Sequence, residues 1–149
     1  MKQQKLLTQA AAQKLARAIS LVEASLDGYA PYDPHAIYTP KELEPYDALS
    51  DRFVRAVETA LKFFRSYERY LYATNSDTIR DLLNRMEKLD LITSTDLWMA
   101  MRDVRNRVVH DTMPEQIANL YEEMVETFGT ELQKLKAYLS GSKFLLKGQ

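Results

Sequence analysis

The 149-residue chain contains no cysteine, which excludes disulfides, thiolate zinc sites and cysteine nucleophiles together. It holds only four glycines and five prolines, too few for a low-complexity or loop-dominated chain. No apolar run approaches the roughly 20 residues needed to cross a bilayer. The opening "MKQQKLLTQAAAQKLARAIS" lacks the continuous hydrophobic centre of a secretory signal. Cytoplasmic residence without membrane contact is the resulting expectation. Positive charge is not in excess: 20 Lys and Arg against 21 Asp and Glu leave a net charge of −1, which argues against a general nucleic-acid coat. Strand-like alternation, internal repeats and the HExxH, P-loop and GxSxG motifs are also missing from the sequence.

What remains is the composition of a globular domain, 46% hydrophobic and 28% charged, long enough to bury a core. Nine of the ten arginines lie between Arg52 and Arg107, whereas Glu115, Glu122, Glu123, Glu126 and Glu131 make the last helical region acidic. Leu7, Ala11, Leu15, Ala18, Val22 and Leu26 recur at helical spacing and predict a first helix over 3–26, stopped at Gly28. Residues 28–46, "GYAPYDPHAIYTPKELEPY", hold four prolines and four tyrosines. Prolines at this density break helices, so the segment reads as a loop packed over the body, with at most a helical turn at Lys41–Glu44.

Leu49, Phe53, Ala56, Val57, Ala60, Phe63, Phe64, Tyr67 and Leu71 form the widest apolar stripe and predict a second helix over 47–73. "TNSD", 74–77, ends it and caps a third over 77–88. "TSTD", 93–96, has capping-box spacing and predicts a fourth over 94–109. Pro114 suits the first turn of a fifth, with Ile117, Tyr121, Met124, Phe128, Leu132 and Leu135 on one face. The expected architecture is all-α: an antiparallel bundle of four main helices plus a shorter one, a single domain over 1–139, with 140–149 as a tail.

"MRDVRNRVVHDT", 101–112, concentrates three arginines and one of the two histidines at the end of the fourth helix. At about 100° per residue, Leu97, Met101, Val104 and Val108 fall on one side and should face the core. Arg102, Asn106 and His110 line the opposite side; Arg105 lies at the edge between, and Arg107 points away from both. Histidine serves as general acid or base near neutral pH, and an arginine fork binds phosphate oxygens. Together they suit RNA cleavage, in which a 2′-hydroxyl loses a proton and charge develops on phosphate. Asn106 is a phosphate ligand or an orienting group for His110. The plainer alternative is a capping histidine and arginines paired with acidic neighbours such as Asp103 and Asp111. Arg105 and His110 stand about 140° apart on a regular helix, so they meet within one chain only where the helix loosens.

"RNRVVH", Arg105–His110, resembles the signature of the HEPN superfamily, in which an arginine followed by a polar residue precedes a histidine near a helix end. The layout of helices over roughly residues 5–139 is similar to that superfamily, and most to HepT-like toxins and nucleotidyltransferase-associated proteins. The resemblance implies a metal-independent endoribonuclease without a cofactor, in which two protomers build a composite site. Arg105, Asn106 and His110 are then catalytic, with Arg102 and Arg107 on RNA phosphates. It also implies a cognate nucleotidyltransferase-type antitoxin that silences such toxins by adding AMP to a tyrosine two residues beyond the histidine. This chain has Thr112 there, which sets tyrosine modification aside and leaves Thr112, another residue, or binding alone. The competing expectations are a non-catalytic subunit that binds a nucleotidyltransferase partner or a nucleotide, and a plain helical oligomer. His35, in a loop, and its neighbours Asp33 and Asp47 show no metal-ligand spacing, and Trp98 is a packing residue or a base-stacking one.

Overall fold

In the computed structural model, residues 2–142 are described. The order is α1 (Lys2–Asp27), α2 (Pro40–Tyr72), α3 (Ile79–Lys88), α4 (Thr95–His110), α5 (Pro114–Glu123), a π-helical stretch Met124–Phe128, and α6 (Gly129–Gly141). The described residues contain no strand, and the protein is all-α. None of the described helices is long and apolar enough to cross a membrane.

α1 runs antiparallel to α2. Thr8, fully buried near the start of α1, shares hydrogen bonds with Ser66 near the end of α2, while Arg52 of α2 donates to Leu21 O at 3.1 Å and to Ser25 Oγ at 3.0 Å. α4 returns antiparallel to α2, from Trp98 against Phe64 to Arg105 against Glu58. α5 and α6 run antiparallel to α4, with Glu123 bound to Arg107 and Glu131 to Trp98. Buried side chains from all these helices join in one core around Phe53, Phe63, Phe64, Trp98, Met101 and Met124. Full burial of each such side chain contributes about 1.5–3 kcal/mol.

Several boundaries differ from the sequence expectation. The loop is shorter than 28–46, because α2 begins at Pro40. Pro40 occupies the first helical position, where its missing N–H costs nothing. Thr39 caps the helix: its side chain accepts from Glu42 N at 3.2 Å and Glu42 Oε1 accepts from Thr39 N at 2.9 Å. This reciprocal cap is worth about 1 kcal/mol and helps to offset the backbone bond that Pro45 removes inside the helix. The cap of α3 is Thr78, whose hydroxyl accepts from Asp81 N at 3.0 Å, rather than a residue of 74–77. That of α4 is Ser94, accepting from Leu97 N at 3.1 Å, rather than Thr93. α6 continues to Gly141, past the expected start of the tail at 140, and residues 143–149, the rest of that expectation, lie outside the described residues.

Two buried carboxylates fix the turns around α3. Glu68 accepts from Ser76 N at 2.9 Å, from the Ser76 hydroxyl, and from Arg85 at 3.2 Å. Glu131 accepts from Thr93 N at 2.9 Å, Thr93 Oγ1 at 2.6 Å and Trp98 Nε1 at 2.8 Å. Buried charge is tolerated where donors surround it in this way. At the π stretch the helix passes close to α1: a Cβ on Gly129 would stand 2.8 Å from Met124 O and 3.2 Å from Leu26 Cδ1.

Candidate functional site

The N-terminal half of α4 is anchored. Thr95 is buried and its N–H donates to Glu87 Oε1 at 2.7 Å. Trp98 is fully buried, edge-on to Phe64 with centroids 5.1 Å apart, and its indole N–H is bound by Glu131. Trp98 is therefore a packing residue with no face open to a base. Met101 and Val104 complete the buried side, whereas Val108, expected in the core, is 42% exposed. The core ends before the helix does, so its last turn projects into solvent.

On that projecting end Arg102, Asn106 and His110 lie outward, as the spacing predicts, and all are exposed. Asn106 donates to Asp103 Oδ1 at 3.1 Å. Among the described residues the His110 imidazole has no hydrogen-bond or ion-pair partner. Arg105 is exposed and paired with Glu58 of α2 across an intervening groove. Arg107 corrects the expectation that it points away from both the outward row and the core side. It is half-buried, with one guanidinium nitrogen 2.6 Å from Glu123 Oε2 and Nε 3.4 Å from Asp111 Oδ2. Burial opposes its charge, but the hydrogen bonds and charges of Glu123 and Asp111 outweigh that and raise its pKa further.

Asp111 N donates to Arg107 O at 2.8 Å, so α4 keeps its pitch through His110. Arg105 and His110 of one chain do not converge. The helix does not loosen where the sequence reading left room for it.

The α2–α4 groove holds two adjoining cavities. One, of about 280 Å³, is bordered by Met99, Arg102, Asn106 and the Arg105–Glu58 pair. The second, of about 540 Å³, shares Val54, Glu58 and Arg105 with the first and extends past Arg55 to Val108 and Val109. Sequence reasoning missed Glu58 because it lies 47 positions from Arg105, and its only local signal is a charge beside the apolar stripe of α2. Thr112 is exposed just beyond α4. His35 is exposed in the α1–α2 loop, its backbone N–H donating to Asp33 Oδ1 at 2.8 Å. Among the described residues no three His, Asp or Glu side chains gather as a metal-ligating group.

No protein-family model matches the chain, and no curated protein matches it either.

Proposed function

We propose that the chain is a metal-independent endoribonuclease toxin of the HEPN type, working as a homodimer in the cytoplasm under a nucleotidyltransferase-type antitoxin. The observation that carries this reading is the unpartnered, exposed His110 at the end of α4, in one row with Arg102 and Asn106, with Arg105 next to Asn106 at the edge of that row. Four long rods, α1, α2, α4 and the continuous α5–α6, with α3 as the short addition, support reading the fold as a HEPN-like antiparallel bundle.

Because α4 stays regular, one chain cannot place its own His110 and Arg105 on one phosphate, so the proposal requires a second copy. Val109 is 70% exposed and Met113 57% exposed beside His110; together with Val108 they supply an apolar patch for that contact. In the composite site His110 takes the proton of the 2′-hydroxyl. The freed oxygen attacks phosphorus, the P–O5′ bond breaks, and the leaving oxygen takes a proton from the partner's protonated imidazole, the imidazolium. Arg105 and Arg102 hold the charge that develops on the non-bridging oxygens. The exposed Thr112 hydroxyl is the proposed acceptor of AMP where the antitoxin acts by nucleotide transfer.

Purified protein should cleave RNA in EDTA, His110→Ala and Arg105→Ala should each abolish cleavage, and Val109→Asp should give inactive monomers by light scattering. Cleavage that survives both alanine substitutions would refute the mechanism. A second reading, a non-catalytic subunit that binds a nucleotidyltransferase partner or a nucleotide, is favoured by one observation: Glu58 already occupies Arg105. Co-purification of such a partner with no RNA cleavage would select it.

A further inference from the structure

The tyrosine-rich α1–α2 connection has no part in the proposed chemistry, yet it borders a cavity of about 230 Å³ at the end of α4. Tyr32, Tyr121, Leu43 and Ile117 supply apolar and aromatic walls, and Asp47 stands at its edge. Most other polar groups there are already committed. Ser50 Oγ donates to the Tyr121 hydroxyl at 3.3 Å, and Asp111 is paired with Arg107. Asp47 is exposed, and among the described residues its carboxylate has no hydrogen-bond or ion-pair partner. Apolar walls with few polar groups are the usual character of a small-ligand site.

The walls are held by contacts of their own. Tyr46 donates to Ala30 O at 2.6 Å, Asp33 N donates to the Tyr38 hydroxyl at 2.8 Å, and Tyr32 stacks on Tyr38 with centroids 4.9 Å apart. Prior ordering of this kind lowers the entropy lost on binding. The size is selective as well: it lies below the roughly 300–1,000 Å³ of pockets for drug-sized ligands, so it admits one ring system rather than a whole nucleotide. Its location is the third point. Asp47, Ser50 and Val108 border both this cavity and the α2–α4 groove, so a strand lying in the groove brings a base to its mouth.

We infer that this cavity is a nucleobase pocket, which receives an amine-bearing base of the RNA strand beside the scissile phosphate while Asp47 accepts from the exocyclic amine. The inference rests on the ribonuclease reading for the identity of the strand, and on the cavity alone for the chemistry of the ring. Uracil carries no exocyclic amine and is the disfavoured base.

The test is fluorescence anisotropy with short 2′-O-methyl oligonucleotides of adenine, cytosine or uracil, which lack the attacking hydroxyl and cannot be cleaved. Wild-type protein should bind the adenine or cytosine oligomer more tightly than the uracil one. Asp47→Ala, which removes the acceptor, should erase that preference, a change of roughly 10- to 150-fold for loss of one charged hydrogen bond. Ile117→Trp, which fills the cavity, should weaken the amine-bearing oligomers to the level of uracil, with circular dichroism confirming that it folds. A wild-type protein indifferent to base, or both variants retaining the wild-type preference, overturns the pocket. So does free adenosine that competes as strongly as the adenine oligomer, since the strand would then contribute nothing. Base preference lost in the variants of a protein that cuts no RNA would sink the ribonuclease and leave the pocket standing.

Discussion

Glu58 holds the guanidinium of Arg105 across the α2–α4 groove, so the cation one step from the His110 row is neutralised by its own chain. Both side chains are largely exposed, 69% and 46%, and exposed pairs contribute only about 0–1 kcal/mol. An incoming phosphate therefore has little to displace.

Glu58→Gln should raise affinity for single-stranded RNA severalfold, while the unfolding temperature moves little. Anisotropy titration beside thermal unfolding checks both. Weaker RNA binding in the variant would mean that Arg105 needs its carboxylate for alignment and does not meet phosphate itself.

Glu131 is 4% exposed and gathers three donors from Thr93 and Trp98. Glu131→Ala leaves the buried Trp98 indole N–H unpaired and opens a void where the carboxylate stem packed, at a cost of about 2–4 kcal/mol, while Thr93 is exposed and its donors turn to water. Trp98→Phe removes one donor and keeps most of the packing, so about 1–3 kcal/mol is expected. Urea unfolding should rank the two in that order, and the reverse order would show that the indole's volume, not its N–H, fixes α4.

Gly129→Ala places a methyl group 2.8 Å from the Met124 carbonyl oxygen. That oxygen belongs to backbone and cannot swing aside, so about 1–3 kcal/mol of overpacking strain is expected. An unchanged melting temperature would show that the π stretch relaxes freely.

Tyr46, Tyr29 and Tyr121 have pKa values raised above the ordinary 10.0, foremost by burial, with neighbouring phenols and carboxylates adding to it. In the unfolded chain these phenols ionise near 10.0, while in the folded chain they stay protonated to higher pH. The unfolded state then binds fewer protons, and stability declines as pH climbs above about 10. Below that pH their contribution is constant. Tyr46→Phe should flatten the alkaline decline and lower stability at neutral pH by about 0.5–1.5 kcal/mol through the lost bond to Ala30 O. Urea titrations across the alkaline range check both effects.

The face of α2 was legible because Phe53, Phe63 and Phe64 repeat at helical spacing with no competing row. In α1 the face is displaced by one residue: Thr8, Ala12 and Ile19 are buried with Leu15 and Val22, while Leu7 is exposed. The alanines of α1 suit either row, and the deciding contact is Thr8 with Ser66, 58 positions away. Pro40 and Pro45 looked like breakers, yet Pro40 stands at the first helical position, where no bond is lost, and the one bond that Pro45 removes is tolerated in a 33-residue helix with a reciprocal cap. The outward row of Arg102, Asn106 and His110 needed only the helical period. Arg107 was misread because its partners sit on α5 and at the cap, which the period of α4 alone does not reveal.

The π stretch from Met124 to Phe128 accommodates one surplus residue between α5 and α6. Removing one residue there would restore uniform α winding with Glu123 still on Arg107, Tyr121 on Ser50, and Leu132 and Leu135 in the core, because the wide turn absorbs the surplus locally. Tightening the wide turn to an α turn with every residue kept would instead swing α5 by about 100° against α6. That single spare position is slack in the winding, which lets α5 and α6 each keep its own partners.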